Sequence, residues 1–199
     1  MGWRHDLALF AILPAGATFY FFAFWRWFDF FRRHRALTYT FFLGTFVVLG
    51  AAVEAGRRWT FAGQLAMPLW AQWIGGAVLV ASTLFGTVAD RQIGLHVRSF
   101  APFFEERGRI ELQTTGAYGV VRHPIYAAGS WFQLGAFLIA GYPSVLASWL
   151  VFTLGALWFT RQEEKRLVRL LDDPSAYERY RARVPALFPR LARSSNAST

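Results

Sequence analysis

Two clusters of polar residues in an otherwise apolar chain have the types and spacing to do chemistry. The first is Gly116-Ala117-Tyr118-Gly119-Val120-Val121-Arg122-His123-Pro124-Ile125-Tyr126, and the second is the pair Glu163-Glu164, some forty residues later. Pro124 suits the first turn of a helix, whose free N–H groups favour an anionic group such as a carboxylate. Arg122 and His123 add donors beside it, although Arg-His equally marks a membrane interface. Gly116 and Gly119 permit backbone conformations that other residues resist, and they let a ligand approach the amides closely. Tyr118 and Tyr126 serve as interfacial aromatics or as a box for a cation, where ring faces contribute roughly 0.5–2 kcal/mol. A carboxylate at a helix C-terminus is electrostatically disfavoured. The helix carrying Glu163 and Glu164 therefore continues past them, or the pair has a partner. The bland partners are Arg161, Lys165 and Arg166; the functional one is an ammonium group on a ligand.

The elements that must position these clusters are set by composition. Of 199 residues, 55% are hydrophobic, 19% aromatic and 17% charged, with nine Trp and 21 Phe. A soluble domain of this size would struggle to hide so much aromatic surface, and a membrane accommodates it. With no cysteine, disulfides, thiolate metal sites and Cys nucleophiles are excluded. Apolar runs at residues 7–25, 39–53, 69–89, 125–140 and 145–160 are the expected spans. Several fall short of the roughly 20 residues a perpendicular helix needs, a gap that flanking aromatics and snorkelling Arg side chains close. Helices are required, because isolated strands leave backbone groups unpaired in lipid. The fold class is thus all-α: a polytopic membrane protein of about five transmembrane helices with a cytoplasmic C-terminal helical tail. The first run resembles a signal peptide, but Phe21-Phe22-Ala23-Phe24-Trp25 and the missing cleavage pattern argue against one.

Five spans put the loops at residues 26–35 and 91–122 and the tail from Arg161 on one side, with eighteen Lys and Arg against three (Arg4, Arg57, Arg58) on the other. The positive-inside rule places the Arg122-His123 loop in the cytoplasm and accounts for the net charge of +9 without nucleic acid. Residues 54–68 read as a short interfacial connection, and residues 90–116 as a polar one carrying His96, Arg98, Glu105, Glu106, Arg107 and Arg109. Pro143 marks the turn of a hairpin between the last two spans. Past Thr160 the pattern becomes amphipathic, breaks at Asp172-Asp173-Pro174-Ser175, and resumes as a short helix over residues 176–183. The organisation is three N-terminal spans (1–89), a catalytic region (90–193) and a disordered tail (194–199). The sequon Asn196-Ala197-Ser198 is a chance match in a cytoplasmic tail.

Taken in order, Gly116–Tyr126, Glu163-Glu164-Lys165-Arg166-Leu167 and Tyr177-Glu178-Arg179-Tyr180 followed by Val184-Pro185 resemble the isoprenylcysteine carboxyl methyltransferase family. More loosely, they resemble the related membrane phospholipid methyltransferases. The resemblance covers about residues 90–189, and the N-terminal spans match only in being apolar. It implies an S-adenosylmethionine-dependent methyltransferase whose cofactor is held by Leu112, Gln113, Gly116, Tyr118, His123, Pro124, Ile125, Tyr126, Glu163 and Glu164. Glu163 accepts the methionine ammonium in that reading, and Arg122, His123 and Arg161 are the candidate catalytic side chains. The family usually has Leu-Val where this chain has Leu112-Gln113. Where the carboxyl methyltransferases carry an Arg that serves the substrate carboxylate, this chain has Phe159. Arg161 is close in sequence but faces about 200° away on a helix. An amine, a thiol or another lipid-like acid is therefore open as acceptor. The expected partners are a lipid-like or hydrophobic small-molecule substrate and membrane lipids, with no nucleic acid and no metal. Two alternatives stand beside this reading: an NADPH-dependent oxidoreductase similar to the sterol reductases, and a non-enzymatic membrane sensor or scaffold.

Overall fold

The computed structural model describes residues 2–98 and 112–189, by backbone alone at residues 35 and 94–98. Every regular element among them is a helix: α1 (Trp3–Ile12), α2 (Ala15–Arg26), α3 (Phe28–Arg33), α4 (Arg35–Ala55), α5 (Arg57–Thr60), α6 (Leu69–Arg98), α7 (Ala117–Val120), α8 (Pro124–Ala140), α9 (Pro143–Leu170) and α10 (Pro174–Arg183). The protein is an all-α polytopic membrane protein. Four segments are long and apolar enough to cross a bilayer: Trp3–Arg26, Ala36–Ala55, Leu69–Ile93 and Pro143–Leu170. The apolar α8 has 17 residues. That makes it about 25 Å long, a little less than the roughly 30 Å of hydrocarbon.

The expected spans fall inside these helices, but two helices run well past them. α6 reaches Arg98 and α9 reaches Leu170. Apolarity reports where the lipid ends, whereas a helix ends where its chemistry stops it. In α9 nothing breaks the ladder before Asp172-Asp173-Pro174. There Asp173 caps α10, its Oδ1 accepting from the Ser175 amide at 2.9 Å. Conversely, the first span is broken. Pro14 has no N–H to bond back toward Phe10, and the chain passes Leu13-Pro14 by two tight turns, Gly16 N to Leu13 O at 2.9 Å and Ala17 N to Pro14 O at 3.0 Å. Most of the connection at residues 90–116, with Glu105, Glu106, Arg107 and Arg109, and the tail at 194–199 lie outside the described residues.

α2, α8 and α9 form the centre; α4 packs on α2, α6 on α8, and α1 on both α8 and α9. Between lipid-bathed helices there is little hydrophobic gain, so small residues and polar bonds hold the bundle. α6 and α8 touch backbone to backbone: a Cβ on Gly75 would lie 2.6 Å from the Gly135 carbonyl oxygen. α8 and α9 are tied by Ser130 Oγ to Thr153 Oγ1 at 2.7 Å, with the Trp149 indole N–H donating to Ser130 at 3.0 Å. The Ser148 hydroxyl donates to the Ile12 carbonyl of α1 at 3.1 Å. Phe19, Val47, Val48, Trp73, Leu84 and Leu154 remain exposed. An apolar surface of this kind fits acyl chains rather than water.

The two ends of the bundle differ. At one, Arg4 donates to Gln72 at 2.6 Å, and the segment after α5 folds over the tip of the α8–α9 hairpin, Leu65 N donating to Gly141 O at 2.9 Å. Gly141 turns there with φ +74°. At the other end, α7, the start of α8, the last turns of α9 and α10 converge.

Candidate functional site

At that converging end the two polar clusters meet. Gly116 has φ 61° and ψ −128°, a conformation essentially confined to glycine. A Cβ there would collide with the Gln92 side chain, whose Oε1 accepts the Ala117 amide at 3.0 Å. Gln92, on α6, thus fixes the turn that presents Tyr118. Two residues past α7, Arg122 and His123 adopt an extended course and donate their amides to Pro185 O at 2.8 Å and Ala186 O at 3.1 Å. The chain after α10 therefore returns as a strap, anchored by Leu187, which packs fully buried with Val121, Ala127 and Ala156.

Glu164 is the centre of the ionic cluster. Its Oε1 accepts from Arg122 Nε at 2.9 Å and Nη2 at 2.8 Å, and sits 2.9 Å from His123 Nε2. Arg181 Nε of α10 lies 3.6 Å from Oε2. Arg122 also donates to the Arg181 and Val184 carbonyls. Arg122 and Glu164 are 9% and 5% exposed, so this pair is shielded and its partners mutually dependent. It welds α9 to the head of α8 and to α10.

Glu163 is different. Its Oε2 is buried, and no hydrogen bond reaches it from the described residues; His123 Nδ1 lies 3.6 Å away. A buried carboxylate oxygen without a donor is costly, and a cationic ligand group would satisfy it. His123 thus stands between the two carboxylates, Nε2 toward Glu164 and Nδ1 toward Glu163. Tyr118 lies near Glu163: burial first, then the Glu163 charge, pushes its phenol up, so it stays a neutral donor. The Tyr118 carbonyl accepts from the Tyr180 hydroxyl at 2.6 Å. Burial likewise pushes the Tyr180 phenol up to about 12, against the opposing charge of Arg122.

An aromatic wall continues the site toward the membrane. Phe159 is fully buried and stacks on Phe21 of α2 at 4.3 Å, with the Tyr126 ring edge-on to both at 6.3 and 5.6 Å. His123 and Tyr126 rings are 6.1 Å apart. Beside Gly116 an apolar cleft of about 410 Å³ opens between Ala81, Leu84, Phe85 and Val88 of α6 and Ala117 and Val120 of α7.

The structure thus gathers Gly116, Tyr118, Arg122, His123, Tyr126, Phe159, Glu163 and Glu164. Pro124 is buried at the head of α8, and Ile125 is exposed. At the α8 N-terminus the Arg122 and His123 amides serve the strap, and the first helical bond runs from the Ala127 amide to His123 O at 3.0 Å. Leu112 packs near Tyr177 and Tyr180, and Gln113 donates to Thr115 Oγ1 at 3.2 Å. Arg161 is exposed, and no hydrogen bond or ion pair with another described residue reaches it. Two contributors carried no functional signal in the sequence, Gln92 and Phe21, and each arrives from a distant element with no local motif to mark it. Arg181 lies within the Tyr177–Pro185 run, which marks no role for it.

The phospholipid methyltransferase family model matches residues 70–172, just over half of the chain, taking in α6, the Gly116–Tyr126 turn, α8 and both carboxylates on α9. No curated protein and no solved structure matches the chain. The match favours methyl transfer over the reductase and scaffold readings, and the ordered motifs, the helical architecture and the meeting of Arg122-His123 with Glu163-Glu164 agree with it. This chain belongs to the phospholipid methyltransferase family of membrane methyltransferases.

Proposed function

We propose that the protein transfers a methyl group from S-adenosylmethionine to a lipid-like or membrane-partitioned small molecule at the cytoplasmic edge of the bilayer. The observation that carries this reading is the unsatisfied Glu163 Oε2 beside His123. A carboxylate buried without a donor fits the methionine ammonium, and the neighbouring rings of Tyr118 and Tyr126 fit a sulfonium. Gly116 gives the Tyr118 turn the close backbone approach that an adenosine or methionine needs. Leu112, Gln113, Pro124 and Ile125 complete the cofactor pocket in this reading. When bound, S-adenosylmethionine supplies an electrophilic methyl group, taken by an acceptor lone pair as the carbon–sulfur bond breaks.

The chain's own residues orient and shield. Glu163 holds the cationic end, and His123 donates to or relays between the two carboxylates. Glu164 and Arg122 are positioning groups that fix His123 and close α10 over the site. Alignment of nucleophile and methyl group in a water-poor pocket is a large part of what such a transfer requires. Phe159 leaves an acceptor carboxylate without a counter-charge, which favours an amine or thiol nucleophile. The apolar cleft beside Gly116 suits a hydrocarbon chain approaching from the bilayer. The eighteen-to-three distribution of Lys and Arg supports the cytoplasmic orientation.

The test is two-part. Calorimetry in detergent should show saturable S-adenosylmethionine binding that is lost in folded His123→Ala. Radiolabelled methyl transfer should then be run against phosphatidylethanolamine, prenylcysteine analogues and small thiols. Well-folded protein that ignores S-adenosylmethionine and binds NADPH would overturn the proposal.

A further inference from the structure

A second polar feature lies on the other side of α9 from Glu164. Trp25 and Phe28, where α2 passes into α3, face Gln162, Lys165, Arg166 and Arg169 across a cleft of about 440 Å³. None of the six lining residues belongs to the site above, although Arg166 lies only about 60° round the helix from Glu163. Arg166 is part-buried, with its Cζ over the Phe28 ring at 4.3 Å from the centroid. The charges that act on it include those of Arg32, Asp29 and Arg169. With Lys165 on the rim, Arg32, Arg166 and Arg169 gather beside Asp29.

The depth of this cleft is as informative as its charge. It begins just past Thr160, where the apolar run of α9 ends, and its other wall is the aromatic corner at the end of the first span. Trp and Phe below, with Lys and Arg above, reproduce the layering of the headgroup region. The exposed Lys165 and Arg169 reach water on the rim of the cleft, where their cationic groups can donate charge-assisted hydrogen bonds to phosphate oxygens. We propose that this cleft binds the phosphate of an anionic phospholipid headgroup, the glycerol and first methylenes lying against Trp25 and Phe28. The lipid is a resident one, separate from any methyl acceptor, and it clamps the α2–α3 corner to the cytoplasmic extension of α9.

Full-chain protein in detergent micelles is titrated with dioleoylphosphatidylglycerol, dioleoylphosphatidylcholine or inorganic phosphate, and bound lipid is counted by native mass spectrometry. Phosphatidylglycerol should bind saturably, phosphatidylcholine far more weakly, and inorganic phosphate should not displace the bound lipid. Lys165→Gln/Arg169→Gln removes two exposed cations and should weaken phosphatidylglycerol binding by about 30-fold. Arg58→Gln, at the opposite end of the bundle, should leave it unchanged. Calorimetric S-adenosylmethionine binding should also survive the double substitution, which separates this site from the proposed cofactor site. Should the double variant not fold, Lys165→Glu supplies the same comparison. Equal binding of the two lipids, displacement by free phosphate, or wild-type binding by the substituted protein would each overturn the headgroup site.

Discussion

Adjacent carboxylates on one helix should behave in opposite ways when each is made an amide. Glu164 accepts two Arg122 nitrogens at 2.8 and 2.9 Å and faces His123 at 2.9 Å, all shielded from water. Glu164→Gln leaves the Arg122 guanidinium, 9% exposed, without its counter-charge. Breaking one side of a buried pair typically costs about 3–5 kcal/mol. For a chain of this size that is a fall of roughly 6–20 °C in thermal midpoint. Glu163→Gln removes a carboxylate whose Oε2 has no hydrogen-bond donor, so the midpoint should stay within about 2 °C of wild type or rise. Its effect should instead fall on S-adenosylmethionine, since a charge-assisted hydrogen bond is worth about 1.5–3 kcal/mol, or roughly 10- to 150-fold in Kd. The assay pairs thermal unfolding of purified protein in detergent with calorimetric titration of each variant. Wild-type stability in Glu164→Gln, or wild-type affinity in Glu163→Gln, would refute the division of labour between the two residues.

Gly116→Ala should abolish methyl transfer while the helical signal in circular dichroism persists, because the new Cβ collides with Gln92 and the backbone cannot hold φ 61°. Gly119→Ala, whose Cβ would lie 3.3 Å from Thr114 O, should be much milder in the same assay. Leu187→Ala should lower stability by about 2–4 kcal/mol in thermal or denaturant unfolding, since the side chain is 1% exposed within the strap's anchor. Tyr180→Phe should cost about 1 kcal/mol at neutral pH by deleting the hydroxyl bond to Tyr118 O. The Tyr180 phenol is held neutral up to about 12, above its unfolded value of about 10. Its contribution is therefore complete below pH 10 and lost as the pH rises through 12. The alkaline decline of the thermal midpoint should be shallower in the Phe variant than in wild type.

The sequence made the lipid-facing part of the fold legible, because apolar runs and solvent correspond directly. It was less informative where chemistry rather than apolarity ends a helix: α9 continues ten residues past Thr160, and Pro14 splits a uniformly apolar run. The pairing of Arg122-His123 with Glu163-Glu164 could be anticipated, since a hairpin returns the chain to the side it left. Which carboxylate pairs with which base could not, because neighbours on a helix face directions about 100° apart and only the approach of the α8 head decides between them. Phe159 stood out as an apolar residue where a related family has Arg, yet its stacking on Phe21 depends on α2, some 140 residues earlier in the chain. Gln92 was invisible for the same reason.

The strap formed by Pro185, Ala186 and Leu187 also sets an order of events during biosynthesis. A nascent chain that has released α8 and α9 into the membrane already possesses both carboxylates, yet the Arg122 and His123 amides still lack the Pro185 and Ala186 carbonyls that fix their course. The head of α8 can settle only after the ribosome has delivered Leu187. A chain cut before Pro185 would therefore keep both carboxylates yet leave the Arg122-His123 turn unset.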